Sequence, residues 1–162
     1  MHTHNHPIVG HIHLTVANLD RAIAFYELLG FTISARYGES AAFMSAGGYH
    51  HHIGLNTWAG TDATPAPTGH TGMYHVAFLY PSRRALAEVL QKLIDAGFRL
   101  EGAADHGVSE ALYLRDPDNN GVELYTDRPK DTWTVQNDGM VEMVTEPLDL
   151  QNLLGELVDP IV

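Results

Sequence analysis

Residues 8–17, Ile-Val-Gly-His-Ile-His-Leu-Thr-Val-Ala, are apolar and β-branched, the pattern of a strand. Asn18 then offers a helix N-cap. Leu19, Ile23, Tyr26 and Leu29 recur at helical spacing, and Gly30 supplies the stop. Strand-like runs follow at 31–37 and 41–45. A His-rich run, Gly-Gly-Tyr-His-His-His-Ile-Gly-Leu-Asn at 47–56, is expected to be a further strand. Strand alternation would put His50, His52 and Gly54 on one face and His51 and Ile53 on the other.

After a Gly/Thr/Pro-rich stretch, 59–72, without periodicity, the pattern restarts. Residues 73–80 form a candidate strand. Pro81 and Ser82 open a helix with a stripe of Leu86, Val89, Leu90, Leu93 and Ile94, and Ala96-Gly97-Phe98 ends it as Leu29-Gly30-Phe31 ended the first. Shorter strands are expected near 98–102, 110–114 and 122–126, with Asp116-Pro-Asp-Asn-Asn-Gly121 as a turn. Each half therefore reads β-α-β-β-β. Two repeats are too few for a solenoid. The expectation is an α+β fold, a domain over 8–127 in which two βαβββ modules, 8–58 and 72–127, pair into a curved mixed sheet around a central site. Residues 1–7 read as a disordered His-rich tail. Residues 128–162 read as an extension ending in a short helix, carrying Leu148, Leu150, Leu153, Leu154 and Leu157, with a role as scaffold or interface.

Composition narrows the partners. The 162 residues suit one domain, and no apolar run approaches the ~18 to 20 residues of a membrane-spanning helix. The first residues have neither an apolar segment nor a basic leader, so a cytoplasmic location is expected. With a formal charge of −11 and nine Lys plus Arg, nucleic acid is a poor partner. There is no cysteine, which leaves nitrogen and oxygen as metal donors. Eleven histidines then call for explanation.

Aligning the repeats sets His11 against His75, and His-Ile-Gly-Leu against Gly-Val-Glu-Leu, so that Gly54 faces Glu123. The halves together offer two imidazoles and one carboxylate. That donor set, with its other positions open, suits a non-haem Fe(II) site that takes substrate and O2 together; Mn(II) fits it as well. Gly54 leaves unobstructed the side on which a fourth ligand would stand. His13 shares the face of His11. His2, His4 and His6 belong to the tail. Singly, each is more simply a core or surface residue; the set carries the argument.

Gly-His-Ile-His-Leu-Thr-Val, Leu-Asp-Arg-Ala-Ile-Ala-Phe-Tyr, Tyr-His-Val-Ala-Phe and Asp-Pro-Asp-Asn-Asn-Gly-Val-Glu-Leu-Tyr resemble the two halves of a vicinal oxygen chelate module, over about residues 8–127. That superfamily includes glyoxalase I, bleomycin-resistance proteins and extradiol dioxygenases. The resemblance implies metal ligands at His11, His75 and Glu123. It is strongest to catechol 2,3-dioxygenases, which implies an Fe(II)-dependent oxidoreductase of aromatic catabolism taking a small aromatic diol and O2. On the same basis His52 of the His51-His52 pair is the acid/base residue, while Tyr113 and His106 support the substrate. The best-known extradiol enzymes use two such units where this chain has one, which makes a homodimer the candidate assembly. The alternatives are a glyoxalase-type isomerase or lyase, disfavoured by Gly54, and a metal-free drug-binding protein.

Overall fold

The computed structural model describes residues 6–158; the tail histidines His2 and His4 lie outside the described residues. The chain divides into two compact units, Met1–Pro65 and Ala66–Val162. Each repeats the same order of elements.

In the first unit, β1 (Ile12–Thr15) leads to α1 (Leu19–Leu28), then β2 (Thr32–Tyr37), β3 (Ala41–Ser45) and β4 (Ile53–Asn56). The sheet order is β1-β4-β3-β2, with β1 parallel to β4 and the other pairs antiparallel. The Asn18 side chain caps α1 by accepting the Arg21 amide at 2.9 Å. Gly30 takes the left-handed conformation, φ 101°, which lets the Phe31 amide return to the Tyr26 carbonyl. Val16, Ala22, Phe25, Tyr26, Met44, Ile53 and Leu55 are all buried and form this unit's core.

In the second unit, β5 (Val76–Leu79) leads to α2 (Arg83–Asp95), β6 (Gly102–Asp105), β7 (Ser109–Arg115) and β8 (Gly121–Asp127). Ser82 caps α2 through the Ala85 amide, and Gly97 repeats the left-handed stop of Gly30. The sheet runs β5-β8-β7-β6 and then β9 (Glu146–Pro147), again with one parallel pair, β5 with β8. On β8 the alternation is plain: Val122, Leu124 and Thr126 are buried while Glu123 and Tyr125 are half-buried on the other face. Leu86, Leu90 and Leu93 of α2 are buried with Leu112, Leu114, Val122 and Leu124 in this unit's core.

The α+β class, the two modules and the C-terminal helix are as the hydrophobic pattern implies. Four local readings need correcting. The His-rich run is not itself a strand: β4 starts at Ile53, after the histidines. The strand expected near 98–102 lies at Gly102–Asp105, because Phe98 is spent closing the helix by its amide bond to Leu93. Ile94 is 49% exposed and so outside the α2 stripe. The extension also adds a fifth strand, β9 (Glu146–Pro147), to the outer edge of β6 before α3 (Leu150–Leu154), where Leu153 is fully buried.

Candidate functional site

In the second unit the register explains which side chains meet. Glu123 pairs with Ala77 on one side and Tyr113 on the other, and His75 lies two positions before Ala77. Paired residues share a face, so His75, Glu123 and Tyr113 all lie on the face of this sheet away from its buried core. His75 Nε2 stands 2.8 Å from Glu123 Oε2. The His75 ring lies between Tyr74 and Tyr113, with centroids at 5.4 and 5.9 Å. Its Nδ1 is buried with no hydrogen-bond partner among the described residues. The ring therefore spends its one proton on the carboxylate, at the position where a metal would displace it. Donors at about 2.0–2.2 Å from one ion and about a right angle apart stand about 3 Å from each other, so this pair fits adjacent corners of a metal site. The chemistry of the pair, imidazole nitrogen and carboxylate oxygen, suits a divalent first-row ion.

Tyr113 links this pair to His106. Its hydroxyl lies 2.7 Å from His106 Nε2, while His106 Nδ1 lies 2.7 Å from the Val144 carbonyl oxygen. A carbonyl can only accept, so Nδ1 carries the proton. A neutral His106 then accepts at Nε2 from the Tyr113 hydroxyl. Glu123 is a second hydrogen-bonding neighbour of the Tyr113 hydroxyl. Burial, with the nearby carboxylate adding to it, pushes the Tyr113 hydroxyl up to about 12, so it stays protonated at neutral pH. His75, His106 and Tyr113 line a cavity of about 380 Å3 together with Tyr74, Arg115 and Thr145. Val144 and Thr145 come from the C-terminal extension. The extension thus reaches the site through its backbone, which its sequence did not suggest.

In the first unit the reading of faces changes. Met44 pairs with Ile53, yet the amide of His52 also donates to the Met44 carbonyl at 2.8 Å. Two residues face one, a bulge that breaks the alternation. His51 consequently lies with its ring 4.4 Å from His11 and 5.0 Å from Phe43, and Phe43 is the register partner of Gly54. The expectation that His52 shares the face of Gly54 is corrected on that ground. His52 packs instead near Tyr49 and Phe31, where its Nδ1 accepts the Ala46 amide at 3.3 Å and its Nε2 keeps the ring proton. It lines a cavity of about 390 Å3 with Ile8, Val9 and Tyr49. Burial, then the neighbouring His11, His50, His13 and His52, push the pKa of His51 down. Among the described residues no group of three or more His, Asp or Glu side chains stands together as a metal site.

A charge network absent from the sequence reading stabilises the second unit. Buried Glu110 accepts from Arg83 at 2.7 Å and from Arg128 at 2.9 Å; Arg83 also reaches Glu156 and Asn152 of the extension, and Arg128 reaches Asp105. Such long-range partners leave no periodic signal in a sequence.

Comparison with known proteins bears on the family. A family model described as the glyoxalase/bleomycin resistance protein/dioxygenase superfamily matches residues 8–124. The chain is 37% identical to a catechol-2,3-dioxygenase of Bacillus subtilis over 96% of its own length and 54% of that protein's. It is 32% identical to a biphenyl-2,3-diol 1,2-dioxygenase 2 of Rhodococcus globerulus over 56% of its length and 47% of the relative's. The chain thus spans about half the length of these curated relatives. The fold matches a glyoxalase/dioxygenase structure from Nostoc punctiforme with a TM-score of 0.65 at 17% identity, covering 80% of this chain and 97% of the other. Among the described residues no helix is long and apolar enough to cross a membrane. Matched over most of its length by the family model, the chain belongs to the glyoxalase/bleomycin resistance protein/dioxygenase superfamily.

Proposed function

We propose that the protein is an Fe(II)-dependent extradiol dioxygenase that opens a catechol-type ring with O2. The observation that carries this reading is the His75–Glu123 donor pair flanked by the Tyr113–His106 hydrogen bond on one sheet face. The likeness to a catechol-2,3-dioxygenase over 96% of the chain supports it. His11, His75 and Glu123 hold the ion, with Mn(II) as the alternative. When bound, the ion supplies a template and electron conduit that bring diol and O2 together. Tyr113 keeps its own proton on His106 and offers its oxygen lone pair to a diol hydroxyl. His106, fixed by the Val144 carbonyl, accepts at Nε2. The resemblance assigns to His52 the transfer of a proton from the diol to the product, whereas His51 is the member of the pair whose ring lies 4.4 Å from His11. Help of that kind is worth typically ~10²–10⁴-fold.

Anaerobic reconstitution with Fe(II), addition of catechol and admission of air should give the yellow ring-opened semialdehyde. Absence of colour across several catechols, with iron bound, would end this reading. His52→Gln should slow turnover by ~10²-fold or more without loss of iron, and His51→Gln in parallel shows which member of the pair moves the proton. A second reading, a metal-dependent transferase or isomerase acting without O2, has one observation in its favour. A metallothiol transferase FosB of Shouchella clausii, 26% identical, is matched over 79% of its own length and 73% of this chain. Oxygen uptake during turnover separates the two.

A further inference from the structure

On the cavity-facing side of the second sheet, β8 opens with a residue that has no side chain, Gly121. The ladder between β5 and β8 begins one step later, at Val76 with Val122, so His75 stands opposite Gly121 just before β5 starts. Neighbouring strands lie about 4.8 Å apart. Here the main chain comes closer: a Cβ built on Gly121 would overlap the carbonyl oxygen of Tyr74 and lie 3.0 Å from Cβ and 3.1 Å from Cα of His75. The Tyr74–His75 segment therefore crosses directly over Gly121, a close backbone approach that needs glycine. Gly54 in the first unit is a different case. The side of β4 expected to be unobstructed is covered by the His13 ring, 2.8 Å from an added Cβ. A side chain can turn aside; the main chain of Tyr74, held by the β5 ladder that follows, cannot.

Glu123 lies two residues beyond Gly121 on the same face, and the crossing carries the His75 ring over β8 until its Nε2 is 2.8 Å from the Glu123 Oε2. Tyr74 is carried with it to the rim of the same cavity, 80% exposed. The first unit meets the same crowding in another way. Its ladder begins in the same register, Ile12 with Ile53, so His52 occupies the place of Gly121. That position has a side chain, and there the strand bulges, with the His52 ring turned toward Tyr49 and Phe31. We propose that Gly121 is the positioning residue of the His75–Glu123 pair: having no side chain, it lets the Tyr74–His75 main chain lie on β8, which sets the imidazole against the carboxylate. The turn before it delivers Gly121 in register, because the Asp116 carboxylate accepts the amides of Asp118 and Asn120 at 2.9 and 2.8 Å. The role of Gly121 in metal binding rests on the function proposed above, whereas its geometry rests on the fold of the second unit alone.

The test uses the whole chain, first without metal. In the unaltered protein one Gly121 Hα occupies the place of the missing Cβ, so strong NOEs to Hα and Hβ of His75 are expected. In 15N-histidine-labelled protein, Gly121→Ala should abolish the signal of the His75 Nε2 proton held by Glu123. Gly102→Ala is the control. It faces Tyr113 in the same sheet, but its Cβ would meet only Tyr113 Cδ2, at 3.9 Å, an ordinary contact, so the His75 signal should persist. With Co(II) added under nitrogen and followed by visible absorption, Gly121→Ala should weaken binding by about tenfold or more, the scale on which groups that orient a ligand act. Gly102→Ala should leave it unchanged. Circular dichroism reports folding, and if Gly121→Ala does not fold, the NOEs of the unaltered chain decide. Absent NOEs, a His75 signal or a Co(II) affinity that survives Gly121→Ala, or equal losses in both variants overturn the proposal. The NOEs, with a His75 signal lost only in Gly121→Ala, in a chain that binds no Co(II) would uphold the positioning role and overturn the metal reading instead.

Discussion

Replacing Glu123 by glutamine should remove bound iron and with it essentially all turnover, the largest functional effect expected of any single substitution. The substitution keeps the size of the side chain and its place in the β8 register between Ala77 and Tyr113. What it removes is the negative charge that a divalent ion needs from its one carboxylate donor. The sheet tolerates this because Glu123 is on the half-buried face and contributes nothing to the Leu112–Leu124 core. The folded chain should therefore survive while metal affinity collapses. Iron content by elemental analysis and O2 uptake with catechol measure the two halves of this expectation. A folded Glu123→Gln variant that keeps its iron would exclude Glu123 as a ligand. Tyr113 gives a useful contrast: Tyr113→Phe breaks the link to His106 yet leaves the His75–Glu123 pair, so activity should fall with metal retained.

The second large effect concerns stability. Glu110→Gln should destabilise the second unit by about 2–3 kcal/mol, because Glu110 is buried while its two arginine partners keep their charges. The cost falls below the range for fully buried pairs since Arg83 and Arg128 are 28% and 36% exposed and water compensates them in part. For a chain of this size that is a fall in Tm of roughly 5–10 °C, read by thermal denaturation. An unchanged Tm would mean that Arg83 and Arg128 are satisfied by Glu156 and Asp105 alone. Acid should act through the same network. The Arg128 hydrogen bond holds the Asp105 carboxyl below its usual range. A group depressed on folding contributes fully above its unfolded pKa, about 3.9 for Asp. Its contribution is lost as pH falls through the lower folded value. Asp105→Asn should therefore lower stability at pH 6 and narrow the gap from the unaltered chain below about pH 4.

Much of this was legible along the chain because it depends on local spacing. The two helices announce themselves by the 3.6-residue stripe, by Asn18 and Ser82 as caps and by Gly30 and Gly97 as left-handed stops. The repeat of these signals gives the two modules, and alignment of the repeats singles out His75 and Glu123, which the fold brings within 2.8 Å. The amino-acid sequence by itself thus determined the α+β class and the order of elements. Where a residue's place depends on a partner far along the chain, only the tertiary structure decides. The bulge at His52 arises from a bond to Met44 and reverses which histidine accompanies His11. The Val144 carbonyl fixes the His106 tautomer across 38 residues. His13 fills the space over Gly54, which composition alone presents as empty. Periodicity encodes the face a side chain takes within a regular element; it does not encode a bulge, a distant carbonyl or the volume left by a glycine on the neighbouring strand.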